Sequence, residues 1–338
     1  MMRFAIIGAG GWGTALGIIA ARAGHQVRLW SRNASVINSI NERGVNELYL
    51  ATHRLPEGVK ATSEIESVFV YAEIVLLAAP SHATRELLVS SLPHVRPEML
   101  FVSATKGIEI QTGERISEVV TEVVGEKFTP RFVCLSGPSF AKEVAAGQPT
   151  AIVAAGLNPA DATTVQRALS WGNLRVYTND DVVGTELGGA LKNVMALAAG
   201  MIAGSGLGAN SVAALVTRGL AEMTRFAVRQ GARVETLAGL AGLGDLVLTC
   251  TGTLSRNRRV GYELGRGRKL EDVLGEMREV AEGVRTTRAV KSLAESCGVE
   301  MPITNEVDAV LYEGKSVKAA VEELMSRPVR DEFKGTVR

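Results

Sequence analysis

Residues 3–13 read Arg-Phe-Ala-Ile-Ile-Gly-Ala-Gly-Gly-Trp-Gly, and this stretch decides the fold. The apolar run 4–7 predicts a buried strand, and a helical period follows from about Gly13 to Ala23. Gly8, Gly10 and Gly13 stand between them in the spacing Gly-x-Gly-x-x-Gly. In this strand–turn–helix context the glycines indicate a dinucleotide site, because unpaired N–H groups and the helix N-terminus can hold a pyrophosphate. Tight strand–helix packing is the alternative, and it would explain Gly13 better than Gly8 or Gly10.

Short apolar runs alternate with helical periods through the first half of the chain. They predict further strands at 26–30, 74–79, 100–104, 131–135, 151–155 and 174–177, and a helix near 35–43. Such alternation is typical of an α/β fold with a doubly wound, mostly parallel sheet and helices on both faces. After about Asp180 the strand-like runs largely vanish. We therefore expect a Rossmann-type domain over residues 1–187 and an all-helical C-terminal domain over residues 188–338.

Composition excludes several classes of protein. The 338 residues are 46% hydrophobic and 22% charged, which is typical of folded globular chains and favours two domains. A net charge of +1 provides no general attraction for nucleic acid or anionic membranes, so we expect neither partner. The uncharged stretches 4–21 and 193–217 are rich in small residues, and we predict a packed helix pair rather than a membrane span for the second.

Three cysteines lie far apart without a C-x-x-C motif: Cys134, Cys250 and Cys297. This usage fits a reducing compartment, so we predict a cytoplasmic protein with free, mostly buried thiols. We predict no metal site.

The end of the second predicted strand indicates the cofactor. An acidic residue there would accept hydrogen bonds from a ribose 2′-hydroxyl, but the chain has Ser31, Arg32 and Asn33. Arg32 can meet a 2′-phosphate with two parallel hydrogen bonds, so NADP(H) is favoured over NAD(H), which this ending still allows. The alternative is an ordinary solvated arginine.

Lys192 lies on a helical pattern of small residues. Its neighbours at i±3 and i±4 are Gly188, Gly189, Met195 and Ala196, so it has no local acidic partner. Its ammonium could extend to water along its aliphatic stem. Alternatively, it faces a substrate, where desolvation can lower the pKa of a lysine toward neutrality and make it a proton donor and acceptor.

A basic cluster follows Ser255, which we predict to cap a helix. Arg256, Arg258 and Arg259 then fall in the first turn, where cations oppose the helix dipole. An external anion such as a phosphate, bound by Arg256 and backbone donors, would explain that placement. A solvated basic face is the alternative, above all for Arg258 and Arg259.

Two further polar residues follow features typical of sites. Asp245 comes after the glycine turn Ala241-Gly-Leu-Gly; it either caps the next helix or holds a substrate hydroxyl or Lys192 in place. Lys106 follows the predicted strand 100–104 at its carboxyl end, where open α/β sheets bind ligands.

With these motifs the sequence resembles the bacterial NAD(P)-dependent glycerol-3-phosphate dehydrogenases over nearly its whole length. The motifs that carry the resemblance are Gly8–Leu16, Ala104–Gly107, Leu135–Glu143, Gly189–Asn193, Thr217–Met223, Gly242–Leu246, Ser255–Asn257 and Val280–Gly283.

The resemblance implies an oxidoreductase that reversibly reduces dihydroxyacetone phosphate to sn-glycerol 3-phosphate for phospholipid biosynthesis. It implies Lys192 as the acid/base, with Lys106 adding positive potential and Asp245 as a further catalytic residue. Matching positions imply cofactor contacts at Gly11, Trp12, Arg32, Lys106, Ala141, Arg256, Val280 and Glu282. Matching positions imply substrate contacts at Lys106, Gly137, Ser139, Lys192, Asp245, Ser255, Arg256 and Asn257.

The expected partner is thus a small phosphate-bearing molecule, and a homodimer is possible. Many relatives carry aspartates where this chain has Ala203 and Ala209, so we assume no particular conformation for that turn. Two alternatives stay open. One is a related two-domain NADP-dependent dehydrogenase of hydroxy acids or sugar acids, and the other is a non-catalytic NADP(H)-binding redox sensor.

Overall fold

The structure, a computed structural model, describes residues 1–277, 281–329 and 331–332. It divides into two compact units. The first consists of Met1–Glu109 and Glu114–Val182, and the second of Ile110–Gly113 and Val183–Arg338. The boundary between residues 187 and 188 stays a prediction about the two functional domains.

Within the described residues, the first unit has one eight-stranded sheet with the order β3-β2-β1-β4-β5-β6-β7-β8. The strands are β1 (Arg3–Ile7), β2 (Gln26–Trp30), β3 (Lys60–Thr62), β4 (Ile74–Leu77), β5 (Leu100–Ser103), β6 (Arg131–Ser136), β7 (Thr150–Ala155) and β8 (Leu174–Asn179). Among these strands, neighbouring pairs are parallel except β6 and β7. The predicted mostly parallel sheet is confirmed, and β3 is an addition to the predicted strands.

Both faces of this sheet are covered by helices. Alternate strand residues point to opposite faces, so Phe4 and Ile6 pack into one apolar layer while Ala5 and Ile7 pack into the other. The helices of the first unit are α1 (Gly11–Arg22), α2 (Ala34–Arg43), α3 (Ile65–Tyr71), α4 (Ser81–Ser91), α5 (Ile116–Gly125), α6 (Ala141–Ala145) and α7 (Pro159–Leu169). Residues of α1 and α7 join the first layer, and residues of α3 and α5 join the second. The doubly wound arrangement is confirmed.

The second unit is built from helices. They are α8 (Val182–Gly204), α9 (Ala209–Arg229), α10 (Val234–Ala238), α11 (Asp245–Thr251), α12 (Arg256–Gly265), α13 (Leu270–Gly275), α14 (Glu282–Ser296), α15 (Pro302–Tyr312) and α16 (Val317–Ser326). Among the described residues, α8 is the helix long and apolar enough to cross a membrane, yet 83% of its most apolar window is buried inside the protein. Helices α8 and α9 form the predicted pair.

The turn between α8 and α9 needs no aspartate to form. Gly206 takes a positive φ of 79°, which favours glycine, and the Ser205 hydroxyl donates to the Met201 carbonyl. Ala203 lies in the last turn of α8, and Ala209 begins α9 without a side-chain cap at Gly208.

Candidate active site

The glycine turn lies at the carboxyl end of β1, and its glycines serve different purposes. A Cβ on Gly13 would lie 2.0 Å from the Gly8 carbonyl oxygen, so Gly13 is required for packing, as the packing alternative predicts. Gly8 is constrained as well, with a φ of +117° and an added Cβ 2.7 Å from the Ala78 and Ala79 backbone. Packing therefore also contributes at Gly8, although the approach at Gly13 is the closer one. A Cβ on Gly10 would meet no atom within 4 Å, which leaves open space beside the turn.

Residues near the turn converge at the same edge of the sheet. A Cβ built on Gly11 would lie 3.7 Å from the Ala141 Cβ, so Ala141 lies beside the start of α1. The Trp12 indole Nε1 is buried and, within the described residues, has no hydrogen-bond partner. The Lys106 Nζ lies 6.0 Å from the centre of the Trp12 ring. Four predicted cofactor positions are thus close neighbours.

Lys106 also contacts two of the predicted substrate positions. Its Nζ donates to the Gly137 carbonyl at 2.8 Å and to the Ser139 hydroxyl at 3.3 Å. Gly137 has a φ of +130°, and a Cβ there would lie 3.0 Å from the Ile152 Cα. This strained turn places the Gly137 carbonyl within reach of Lys106.

Arg32 follows β2, the neighbour of β1 in the sheet. The Asn33 side chain next to it accepts hydrogen bonds from Ser35 N and Val36 N, so Asn33 caps α2. Arg32 is exposed, and within the described residues its guanidinium has no ion pair or hydrogen bond. It is therefore available to a phosphate, and the alternative of a solvated arginine stays open.

In the second unit Lys192 is buried on α8, with 6% of its surface exposed. The interpretation of an ammonium that extends to water is therefore wrong. Its Nζ lies 2.6 Å from Asp245 Oδ1 and 2.9 Å from the Thr249 hydroxyl. Asp245 is the first residue of α11, whose N-cap is Gly244, so its carboxylate pairs with Lys192 rather than capping the helix. Sequence reasoning missed Thr249, whose spacing of i+4 from Asp245 places both on one helix face.

Burial keeps the neighbouring thiol neutral. Cys250 is 1% exposed, and desolvation raises the pKa of its thiol to about 12 despite the nearby Lys192. Cys134 is also buried and Cys297 is half-buried, which confirms the prediction of free, mostly buried thiols. In the part of the chain that the structure describes, no group of three or more His, Cys, Asp or Glu could hold a metal ion.

Glycines allow other helices to reach the backbone of α8. A Cβ on Gly200 would lie 2.0 Å from the Arg258 carbonyl oxygen on α12, and one on Gly188 would lie 2.5 Å from the Ala241 carbonyl oxygen. A Cβ on Gly283 in α14 would lie 2.6 Å from the Asn193 carbonyl oxygen. These close approaches bring α12, α14 and the turn before Asp245 against the helix that carries Lys192.

The start of α12 is organised as predicted. The Ser255 hydroxyl accepts from Arg258 N at 3.2 Å, so Ser255 is the N-cap, and Arg256 is exposed at the first helical position. Asn257 is buried; its Nδ2 donates to Asn193 Oδ1 at 2.9 Å and its Oδ1 accepts from Gly283 N at 3.0 Å. These bonds leave one amide hydrogen of Asn257 for a ligand. Sequence reasoning did not identify Asn193, although it follows Lys192 directly.

One predicted cofactor position, Glu282, lies at the start of α14. Glu282 is its first residue, with Ala281 as the N-cap. Val280 lies outside the described residues.

Comparisons with known proteins match both units to one family of dehydrogenases. The family described as NAD-dependent glycerol-3-phosphate dehydrogenase N-terminus matches residues 3–162, and the corresponding C-terminus family matches residues 181–322. The chain is 57% identical to a glycerol-3-phosphate dehydrogenase [NAD(P)+] of Koribacter versatilis over 97% of this chain and 98% of that protein. It is 50% identical to the protein of the same name from Geobacter sulfurreducens over 98% of each chain.

A solved structure gives the same result. The crystal structure of glycerol-3-phosphate dehydrogenase from Coxiella burnetii is similar to this chain with a TM-score of 0.93 and 39% sequence identity. The match covers 96% of this chain and 99% of that one.

Proposed function

The chain belongs to the NAD-dependent glycerol-3-phosphate dehydrogenase family, and we propose that it reversibly reduces dihydroxyacetone phosphate to sn-glycerol 3-phosphate with a nicotinamide cofactor. The observation that carries this proposal is the buried ammonium of Lys192, held by Asp245 and Thr249 at 2.6 and 2.9 Å. Reduction of a phosphorylated ketone needs a proton donor for the carbonyl oxygen and a cation for the phosphate. Lys192 fits the first role, and Arg256 at the start of α12 fits the second.

The first unit fits a dinucleotide on its own geometry. The space beside Gly10 is open, and the Gly10 N–H has no hydrogen-bond partner within the described residues. In this unit the proposed cofactor contacts are Gly8, Gly10, Gly11, Trp12, Gly13, Arg32, Lys106 and Ala141. Arg256, Val280 and Glu282 are proposed as contacts only because their positions match the family's motifs. Because Arg32 is an exposed cation at the end of β2, NADP(H) is favoured and NAD(H) is accepted. When bound, the reduced nicotinamide supplies the hydride.

The second unit supplies the proton and holds the substrate. Lys192 protonates the substrate oxygen as negative charge develops there, and Asp245 orients the ammonium. Arg256, at an exposed helix start, binds the substrate phosphate together with Ser255 and the remaining amide hydrogen of Asn257. In the first unit, Lys106 is held near Gly137 and Ser139, and its match to the family's motif supports a role in adding positive potential to the reaction.

We assign the cofactor to residues 1–187 and the phosphate substrate to residues 188–338. The product is a building block of glycerophospholipids, so we place the enzyme in phospholipid biosynthesis. Three free thiols support a cytoplasmic enzyme, and a net charge of only +1 supports one without nucleic-acid partners. A homodimer is compatible with this assignment.

A substrate panel tests the proposed function. NADPH oxidation is followed with dihydroxyacetone phosphate and, separately, with 2-keto acids. NADP+ reduction is followed with sn-glycerol 3-phosphate and with the matching hydroxy acids. The proposal expects kcat/KM for dihydroxyacetone phosphate to exceed the others by at least about 100-fold, because a keto acid cannot use the phosphate contacts. A preference for a keto acid would favour a hydroxy-acid dehydrogenase, and NADPH binding without any turnover would favour a redox sensor.

A further inference from the structure

Asn46 is fully buried in the connection between α2 and β3, and the function described above gives it no role. This connection is folded back on itself: Val45 and Arg54 form an antiparallel bridge, and Leu55 N donates to the Gly44 carbonyl at 2.8 Å. The Asn46 side chain points from it into the glycine turn.

All three hydrogen bonds of the Asn46 amide are made within the first unit. Its Nδ2 donates to the Ala9 carbonyl at 2.9 Å and to the Thr14 hydroxyl at 2.8 Å. Its Oδ1 accepts from Tyr49 N at 3.3 Å. Ala9 lies between the two glycines of the turn, and Thr14 is a buried residue of α1. One side chain therefore joins the turn, the first helix and the connection after α2.

The bond to Ala9 fixes the orientation of a peptide group. The peptide between Ala9 and Gly10 is trans, so its carbonyl and the Gly10 N–H point in opposite directions. Because Asn46 holds the Ala9 carbonyl, the Gly10 N–H is turned away from Asn46. The other side of Ala9 is fixed as well, since Ala9 N donates to the Trp30 carbonyl at 3.1 Å.

The consequence is a backbone donor that is oriented before any ligand arrives. The Gly10 N–H has no partner within the described residues, and a Cβ added to Gly10 would meet no atom within 4 Å. If this peptide rotated, the Ala9 carbonyl oxygen would take the place of the Gly10 N–H and repel an anion. Preorganised N–H groups at the start of a helix are the usual means of binding a pyrophosphate.

We propose that Asn46 is a positioning residue for the cofactor: by holding the Ala9 carbonyl, it presents the Gly10 N–H to the pyrophosphate. This inference rests on the proposed dinucleotide site.

The test replaces the donor with an acceptor. Asn46→Asp keeps the size of the side chain but puts a carboxylate oxygen against the Ala9 carbonyl. We expect the Kd for NADPH to rise about 10- to 100-fold, since one charge-assisted hydrogen bond is lost and a carbonyl faces the phosphates. The Kd for adenosine 2′-monophosphate, which lacks the pyrophosphate, should stay within about twofold. At saturating NADPH, kcat should stay close to that of the wild type.

Asn41→Asp is the control. Asn41 lies on α2 and its amide makes two hydrogen bonds to Ala61, at 2.8 and 2.9 Å, away from the glycine turn. It should lose stability without a change in the Kd for NADPH. If Asn46→Asp does not fold, Asn46→Ser replaces it in both titrations.

The outcomes separate the two proposals. Unchanged NADPH affinity in the Asn46 variant, or an equal loss for NADPH and adenosine 2′-monophosphate, would overturn the positioning role. A wild-type protein that binds no NADPH would overturn the dinucleotide site itself.

Discussion

Replacing Gly10 with alanine separates ligand binding from packing in the glycine turn. Gly10 has a φ of −73°, which alanine adopts, and its added Cβ meets no atom within 4 Å. Loss of glycine at an N-cap costs about 0.5–1 kcal/mol, and the smaller entropy of the unfolded chain offsets about 0.4–1 kcal/mol. The free energy of unfolding should therefore change by less than about 1 kcal/mol.

Cofactor binding should change far more. The new methyl group occupies the space through which a pyrophosphate approaches the turn, so at least one charge-assisted hydrogen bond is lost. Such a bond contributes about 1.5–3 kcal/mol, which corresponds to a rise of about 10- to 150-fold in the Kd for NADPH. By contrast, Gly13→Ala places its Cβ 2.0 Å from a carbonyl oxygen and should destabilise the fold by about 3 kcal/mol or more.

The assay combines fluorescence titration with NADPH and urea unfolding of the same preparations. Gly125→Ala is the control, because its Cβ also meets no atom within 4 Å and α5 ends there, away from the turn. It should bind NADPH like the wild type. If Gly10→Ala also binds NADPH with wild-type affinity, the cofactor does not approach this turn and the reasoning fails.

Three further predictions concern specificity, packing and pH. Arg32→Ala should raise the Kd for NADPH about 10- to 150-fold and leave that for NADH nearly unchanged; equal losses in parallel titrations would remove the 2′-phosphate role. Gly200→Ala puts a Cβ 2.0 Å from the Arg258 carbonyl oxygen and should lower the free energy of unfolding in urea by about 3 kcal/mol or more. Gly208→Ala is the control, because its Cβ meets no atom within 4 Å and should cause no such loss. Equal stability of both variants would contradict this packing. Burial raises the pKa of Glu222, which accepts hydrogen bonds from Ile303 N and Thr304 N. The folded state therefore binds more protons than the unfolded state just above pH 4.5. The free energy of unfolding of the wild type, relative to that of Glu222→Gln, should fall as the pH rises from there. Parallel curves of the free energy of unfolding against pH for the two proteins would refute this prediction.

The sequence predicts much of the sheet because its strands are buried on both faces and stand out as apolar runs. Strand β3 escapes this signal, since Lys60–Thr62 is short, lies at the edge of the sheet and has a single buried residue, Ala61. The direction of β7 escapes it as well. An apolar run looks the same in either direction, and the antiparallel pairing with β6 follows a connection whose helix, α6, has five residues.

The site shows the same division between local and long-range signals. Ser255 could be predicted as a cap because capping is local: its hydroxyl accepts from a backbone N–H three residues away. The partner of Lys192, Asp245, lies 53 residues away. Local spacing therefore could not decide whether the lysine is solvated or buried in a site. Asn46 contacts Ala9 across 37 residues, and no motif marks it. Such contacts depend on how the chain folds back, which local periodicity does not encode.

The central claim is that Lys192 supplies the proton in the reduction, and its removal tests this most directly. NADPH oxidation with saturating dihydroxyacetone phosphate is measured for the wild type and for Lys192→Ala, after urea unfolding has verified that the variant is folded. The account predicts a fall in kcat of about 10²- to 10⁴-fold, the usual contribution of a general acid, with the Kd for NADPH nearly unchanged. A folded Lys192→Ala enzyme with kcat close to that of the wild type would contradict it.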